Sequence, residues 1–174
     1  MRRLILFRHA KSDWSANGAK DHERRLAPRG IVSAPLMAAW LHDKGLAPDH
    51  ILCSTAERTR ETLDLALTQW PDKPHVHYDK QLYLSSRDRI VSLIKAHGGG
   101  AETLMVIGHN PDMHDLALDL VGPKHEAEVA AQIGKYPTAS MAVFKFEIDD
   151  WSEIAMGSGT LEVFRKPKDL SGQA

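Results

Sequence analysis

Three short apolar runs in the chain stop abruptly at polar residues. Residues 4–7, 51–53 and 104–107 contain only apolar side chains, and a charged or polar residue follows each run within two positions. Apolar runs of this length are typical of strands that are buried on both faces of a sheet. The pattern therefore predicts three central strands whose carboxyl ends lead into polar side chains.

Between these runs, Leu, Ala and Met recur at helical spacing. The pattern predicts helices over residues 31–44, 57–69, 86–96 and 112–120. Pro35 lies inside the first of them and predicts either a kink or a later start. Because strands that alternate with helices form mostly parallel sheets, the sequence predicts an α/β fold with ligands bound outside the carboxyl ends of the strands.

The last part of the chain follows a different pattern. Residues 141–148 alternate apolar with other residues, residues 149–150 and 157–159 favour turns, and residues 161–164 suit another strand. This pattern predicts a C-terminal hairpin at an edge of the sheet. The length of 174 residues and the apolar content of 43% suit one domain spanning the whole chain.

Composition and charge narrow the possible partners and location. The 22 Lys and Arg residues nearly balance 23 Asp and Glu residues, without a block of like charge, which argues against nucleic acid and membrane surfaces as partners. Cys53 is the only cysteine, which fits a reducing compartment. The first apolar run is too short for a signal peptide or a membrane span. We expect a cytoplasmic protein of undetermined oligomeric state, with a monomer favoured.

Arg8 and His9 end the first predicted strand. A neutral imidazole can attack phosphorus, and an adjacent guanidinium binds phosphate oxygens and disfavours protonation of the ring. These residue types predict a nucleophilic histidine in an anion site. A structural histidine is the alternative that the spacing alone leaves open.

Two predicted helix starts follow the other strands. Ser54 and Glu57 match a capping box with Ser54 as N-cap, which places Arg58 in the first helical turn, where backbone donors and the helix dipole favour anions. Asn110 is the expected N-cap of the later helix, with Pro111 at its first position. His109, directly before them, would then face the same pocket and stabilise developing charge. A solvent-facing Arg58 and a structural His109 are the alternatives.

Three separated segments resemble the histidine phosphatase superfamily. The strand-end Arg-His dipeptide of that family is similar to residues 6–10, its Ser-x-x-x-Arg-x-x-Glu/Gln-Thr segment to residues 54–62, and its Gly/Ser-His segment to residues 106–111. The order of the segments also matches. The closest branch is that of the short bacterial SixA-type phosphohistidine phosphatases.

The resemblance implies a three-layer phosphoglycerate-mutase-like fold and a phosphohistidine intermediate on His9. Arg8, Arg58 and His109 would contact the phosphate, and neither a metal nor an organic cofactor would be needed. Residues 24–30 and 137–140 also resemble the SixA-type branch. By that similarity, Arg24 would be a further phosphate-binding cation, and residues 138–140, including Ser140, would border the pocket.

The sequence departs from the family in two places. Ala10 follows His9 where the family often has Gly, although the Ala10 carbonyl could still orient the imidazole. Many members also carry an acidic residue after the second arginine helix, whereas residues 62–101 contain no Glu and Leu84 stands where one might be sought. Asp79, Asp88 or water would have to replace this proton donor.

The missing acid affects the expected substrate. Expulsion of an alkoxide from a phosphate ester needs a proton donor, which contributes about 10²–10⁴-fold to the rate. The imidazole of phosphohistidine needs less assistance. We therefore expect a phosphorylated substrate, and in particular phosphohistidine in a protein. A phosphomonoesterase acting on a small metabolite and a non-catalytic phosphate-recognition module are the alternatives.

The remaining polar motifs carry less information. His75 and His77 alternate along a predicted strand, and His109 with His114 lacks the Glu and the third ligand of a zinc site. The sequence therefore predicts no metal site. The polar loop over residues 11–20 lies next to His9, and the sequence leaves open whether it shapes substrate access or is only solvated.

Overall fold

The computed structural model describes residues 1–15 and 18–171. Its strands are β1 (Arg2–Arg8), β2 (His50–Ser54), β3 (His75–Asp79), β4 (Thr103–Gly108), β5 (Met141–Phe146) and β6 (Gly159–Arg165). Its α-helices are α1 (Pro28–Asp43), α2 (Glu57–Leu67), α3 (Arg87–His97), α4 (Asp112–Val121), α5 (Pro123–Ile133) and α6 (Pro167–Ser171). Three short 3-10 helices lie at Asp21–Glu23, Lys80–Leu82 and Trp151–Glu153.

The six strands form one sheet in the order β3-β2-β4-β1-β5-β6. The three apolar runs lie in the neighbouring strands β2, β4 and β1, which are parallel to one another. The register pairs Arg8 with Gly108 and Cys53 with Ile107, so the three strands end at the same edge of the sheet. The polar residues that follow the strands therefore meet there.

The continuous apolar run of β1 is explained by helices on both faces of the sheet. Leu4 and Leu6 pack into a core with α3, α4 and α5, whereas Ile5 and Phe7 pack into a second core with α1, α2 and α6. Successive side chains of a strand point to opposite faces, so every residue of this run is buried. The predicted three-layer α/β fold is confirmed.

The predicted helices are present with shifted ends. α1 begins at Pro28 rather than at residue 31 and continues past Pro35, so the predicted later start is wrong. Pro28 is well tolerated at the first position of the helix, because the N–H that proline lacks would have no helical partner there in any case. α5 was not predicted, because it contains few large apolar residues and only Val129 and Ile133 of this helix are buried.

Both predicted N-caps are wrong. Ser54 is the last residue of β2, and α2 begins at Glu57 after Ala56, which has no side chain that could cap it. At α4 the N-cap position belongs to Pro111, while the Asn110 side-chain amide donates to the carbonyl oxygens of Lys135 and Tyr136. The side chains of Ser54 and Asn110 thus form hydrogen bonds with residues distant in the sequence instead of capping the helix that follows each of them.

The predicted C-terminal hairpin is confirmed. β5 and β6 are antiparallel, and β5 also pairs with β1, so β6 forms the edge of the sheet. Among the described residues, no helix is both long and apolar enough to cross a membrane.

Candidate active site

A cavity of about 260 Å³ opens at the carboxyl ends of the central strands. The lining is supplied by β1, α2, the 3-10 helix Asp21–Glu23 and the loops that follow β1, follow β4 and precede β5. The lining residues are Arg8, His9, Lys11, Ser12, Trp14, Asp21, Arg24, Arg58, His109, Asn110 and Thr138. The fold therefore brings five of the predicted site residues to one cavity.

His9 is held in one tautomer. Its Nδ1 lies 2.7 Å from the carbonyl oxygen of Ala10, which can only accept, so Nδ1 carries the proton and Nε2 keeps its lone pair, which accepts only a long hydrogen bond of 3.4 Å from Nε of Arg58. Burial lowers the pKa of His9 well below its usual value, against the opposing effect of the Ala10 hydrogen bond, and His109 and Arg58 lower it further. The imidazole is therefore neutral and able to act as a nucleophile.

Ala10, which stands where the family often has Gly, holds its peptide groups in place with both backbone hydrogen bonds made. The side chain is fully buried, and the Ala10 N–H donates to Oγ1 of Thr62 at 3.0 Å. The Thr62 hydroxyl in turn donates to the carbonyl oxygen of Arg58 at 2.7 Å. This chain of hydrogen bonds joins the peptide that orients His9 to the helix that carries Arg58.

Arg58 projects from the first turn of α2 toward the nucleophile. Its Nε lies 3.4 Å from Nε2 of His9, and its Nη2 lies 3.2 Å from a carboxylate oxygen of Asp21. Arg24 contacts the same carboxylate at 3.1 Å and donates to the Ser12 hydroxyl at 2.7 Å. Asp21 thus holds two guanidiniums beside the nucleophile.

Asp21 is fully ionised at neutral pH. The Tyr83 hydroxyl donates to its carboxylate at 2.5 Å, and this hydrogen bond, with the charges of Arg58 and Arg24, lowers the pKa of Asp21 to about 2. Desolvation opposes the shift only in part. Asp21 is the only carboxylate among the described residues that line the cavity, and its state excludes it as a proton donor near neutrality.

Arg8 is anchored from the side of β5. Its Nη1 donates to the carbonyl oxygen of Tyr136 at 3.0 Å, and its Nε is buried without a hydrogen-bond partner among the described residues. Burial and the charge of Arg58 lower the pKa of Arg8, but a guanidinium stays protonated in proteins. Arg8 therefore offers a buried donor that a phosphate oxygen would satisfy.

His109 lies opposite His9, with 5.3 Å between the ring centroids. Burial lowers the pKa of His109 to about 3, and Arg58 adds to the shift, so this ring is also neutral. Its Nε2 lies 2.8 Å from Oγ of Ser54, while its buried Nδ1 has no partner among the described residues. If the Ser54 hydroxyl donates to Nε2, Nδ1 carries the proton and can donate to an anion.

Three functional residues were missed by sequence reasoning. Asp21 and Trp14 lie in or just after the loop whose role the sequence left open, and Tyr83 carried no signal at all. Trp14 is 71% exposed, and the Arg24 guanidinium carbon lies 3.5 Å from the centroid of its ring. This contact is a cation–π interaction that holds Arg24 at the rim of the cavity.

Other predicted residues lie outside the cavity lining. The Ser140 side chain is fully buried, its carbonyl oxygen accepts from the Arg8 N–H at 3.1 Å, and Thr138 lines the cavity instead. Asp79 caps the N–H of Gln81, and Asp88 lies in the first turn of α3. Neither aspartate is among the described residues that line the cavity.

Comparison with known proteins identifies the family of the chain. The sequence model of the histidine phosphatase superfamily (branch 1) matches residues 4–83. An uncharacterized protein of Mycobacterium leprae is 34% identical over 165 residues, covering 92% of this chain and 99% of that protein. An uncharacterized chloroplastic protein of Arabidopsis thaliana is 31% identical over 167 residues, covering 91% of this chain and 72% of that protein.

Solved structures of other proteins superpose on nearly the whole of this chain. The candidate phosphohistidine phosphatase SixA of Agrobacterium tumefaciens superposes with a TM-score of 0.81 at 28% identity, covering 95% of this chain and 98% of that one. A second candidate SixA, of Nakamurella multipartitia, gives 0.80 at 27% identity, with 95% and 96% covered.

A three-layer fold with two imidazoles and several arginines at the carboxyl ends of its central strands defines a phosphatase of the phosphoglycerate-mutase-like fold. The chain belongs to the histidine phosphatase superfamily and is similar in architecture to its SixA-type members. The superfamily and the likeness to its SixA-type branch, both predicted from the sequence motifs, are confirmed.

Proposed function

We propose that this phosphatase removes the phosphoryl group from phosphohistidine in a protein. The observation that carries the proposal is the charge state of the cavity: its only described carboxylate, Asp21, has its pKa lowered to about 2 by Tyr83 and the two arginines. A site with a nucleophile and several cations but no protonated acid suits a leaving group that needs no proton from the enzyme.

In the first step, the Nε2 lone pair of His9 attacks phosphorus, and the bond from phosphorus to the substrate imidazole breaks. When the other ring nitrogen of the substrate carries a proton, the group leaves as neutral imidazole. Arg8, Arg58 and Arg24 would neutralise the phosphoryl oxygens, and His109 would donate to one of them. No acid is required.

In the second step, water attacks phosphorus and His9 leaves. Because Nδ1 of His9 keeps its proton for the Ala10 carbonyl, the ring is released as the same neutral imidazole that attacked. The water proton passes to solvent or to phosphate, and inorganic phosphate is the product. The fixed tautomer thus serves both steps.

A groove beside the cavity supports a substrate of protein size. A hollow of about 210 Å³ shares Lys11 and Thr138 with the cavity. It continues through Arg29 and Lys168 into a third hollow of about 440 Å³, which adds the exposed apolar side chains of Val32 and Leu36.

We call these two hollows the α1–α6 groove, after the helices that supply most of their lining. Its cations and exposed aliphatic side chains would suit a protein surface that carries acidic and apolar residues around the phosphohistidine. Recognition of a partner protein therefore extends beyond the phosphoryl group. A small phosphorylated metabolite would have no use for this groove.

A substrate panel tests the proposal. We expect kcat/KM for a histidine-phosphorylated protein domain to exceed that for p-nitrophenyl phosphate, sugar phosphates and nucleotide phosphates by at least about 10²-fold, the lower end of general-acid contributions. A preference for esters would instead support the phosphomonoesterase, with water as proton donor. Binding of the phosphoprotein without turnover would support a recognition module.

A further inference from the structure

A second cluster of chemically active side chains lies at the edge of the sheet formed by β3. His75, His77 and Asp79 alternate along this strand and therefore point to the same face. His97, the last residue of α3, packs over this face, where its ring stacks on that of His77 with 4.3 Å between centroids. None of these residues is among those described as lining the catalytic cavity.

The potential ligand atoms of the cluster lie close enough together that small side-chain rotations would bring them to the separations of a metal site. Nε2 of His77 lies 3.3 Å from Oδ2 of Asp79, and Nε2 of His97 lies 4.0 Å from the same oxygen. One ligand atom from each of the three residues lies within 4.8 Å of the other two. Ligand atoms of a tetrahedral zinc ion, bound at 2.0–2.1 Å, lie about 3.4 Å apart.

One ligand pair thus already has the required separation, and His97 would close the others. Its side chain is 40% exposed at the end of a helix, so its ring is free to turn toward an ion. Asp79 is held in place, because its Oδ1 accepts from the N–H of Gln81 at 2.9 Å while Oδ2 faces the two imidazoles. Such a second hydrogen bond orients a ligating carboxylate.

We propose that His77, Asp79 and His97 bind a divalent transition-metal ion, with Zn²⁺ the best match. Two imidazoles and a carboxylate are ligands that zinc prefers, and solvent would complete the tetrahedron. The sequence predicts no metal site because the spacing of His75 and His77 is explained by alternation along a strand and does not reveal a ligand from elsewhere in the chain. The fold supplies it from α3, 20 or more residues away.

The ion would fasten the edge strand to the end of α3. Asp79 is also the residue from which the 3-10 helix Lys80–Leu82 starts, and Tyr83 follows directly with its hydroxyl on Asp21. The bound ion would therefore stabilise the segment that delivers Tyr83 to the catalytic cavity. It would take no part in phosphoryl transfer.

Equilibrium dialysis against ZnCl₂ tests the site directly. We expect one Zn²⁺ per wild-type chain, and a dissociation constant at least about 10²-fold weaker in His97→Ala and Asp79→Asn, since loss of a second-shell partner alone weakens binding 10–100-fold. Asp79→Asn keeps an oxygen for the Gln81 N–H and guards against misfolding. His114→Ala, outside the cluster, is the matched control and should bind as wild type does.

Two further measurements make the result decisive. Co²⁺ bound in place of Zn²⁺ should give the intense visible absorption of a tetrahedral site, and His97→Ala should abolish it. Zn²⁺ should raise the Tm of the wild type but not that of His97→Ala. The proposal fails if no saturable one-to-one binding occurs, or if the ion is lost in His9→Ala and retained in His97→Ala, which would assign it to the catalytic imidazoles.

Discussion

The hydroxyl oxygen of Ser54 lies 2.8 Å from Nε2 of His109, although 55 residues separate them in the sequence. Both side chains are buried; Ser54 is the last residue of β2, and His109 directly follows the neighbouring strand β4. The hydroxyl thus fixes the imidazole that faces His9. In the proposed mechanism, Ser54 is therefore a positioning residue rather than a group that contacts phosphorus.

Replacing Ser54 with Ala should lower kcat about fivefold, the equivalent of one net hydrogen bond of about 1 kcal/mol. KM should change little, because the arginines keep the phosphate. Steady-state kinetics on a phosphohistidine substrate measures both. Ser92→Ala, which removes an exposed hydroxyl from α3, is the control, and an equal loss in both variants would remove the positioning role of Ser54.

His9→Ala should reduce turnover by at least about 10³-fold while the fold survives, since removal of a nucleophile leaves only binding and electrostatic effects. Wild-type protein quenched during turnover should carry an acid-labile phosphoryl group, and the variant should carry none. Circular dichroism checks folding, and His114→Ala provides the control. Turnover by His9→Ala at the wild-type rate would exclude the mechanism.

Stability should fall as the pH is lowered, in two windows. The pKa values of His9 and His109 are lowered from 6.5 in the fold, chiefly by burial, so below about pH 6.5 the unfolded chain takes up protons that the native state refuses. Each such proton lowers the free energy of unfolding by about 1.4 kcal/mol per pH unit. For His109 this loss continues down to its native pKa of about 3.

Asp21 contributes in the second window. Its pKa falls from 3.8 to about 2 in the native state, so its stabilising effect is complete above pH 3.8 and is lost as the pH drops toward 2. Urea unfolding between pH 7 and pH 4 isolates the histidines. The pH dependence there should be shallower in His109→Ala, and an unchanged slope would show that this ring is protonated in the native state.

The α1–α6 groove predicts a difference between large and small substrates. Leu36→Asp should raise KM for a histidine-phosphorylated protein about tenfold, by loss of apolar contact and addition of a like charge to an acidic partner. Hydrolysis of phosphoramidate should not change. Met156→Asp, an exposed apolar site outside the groove, is the control. Equal KM values for the protein substrate in both variants would place docking elsewhere.

Much of this site could be predicted from the sequence because its central residues end apolar strands. Arg8, His9 and His109 follow buried runs within two positions, and Arg58 lies in the first turn of the helix after another run, so topology alone brings them together. Asp21 and Tyr83 could not be found in this way. Their hydrogen bond joins residues 62 positions apart, one in a short 3-10 helix and the other directly after one, where no apolar periodicity marks them.

The incorrect caps have a related cause. Local reasoning assigned Ser54 and Asn110 to the nearest helix start, whereas the fold offers them partners from β4 and from the segment before β5. Side chains with short polar groups accept either role, and the sequence near them does not decide between the two. α5 was missed for a simpler reason, since only one side of it is covered.

The carboxylate of Asp21 is a counterion fixed in the chain, and an incoming phosphoryl group must compete with it for Arg24 and Arg58. A dianion can outcompete its single charge, whereas monovalent anions of the surrounding solution gain little. Under the proposed mechanism, the same carboxylate would compete for the guanidiniums again once phosphate has left His9. The enzyme would then be inhibited only weakly by its own product.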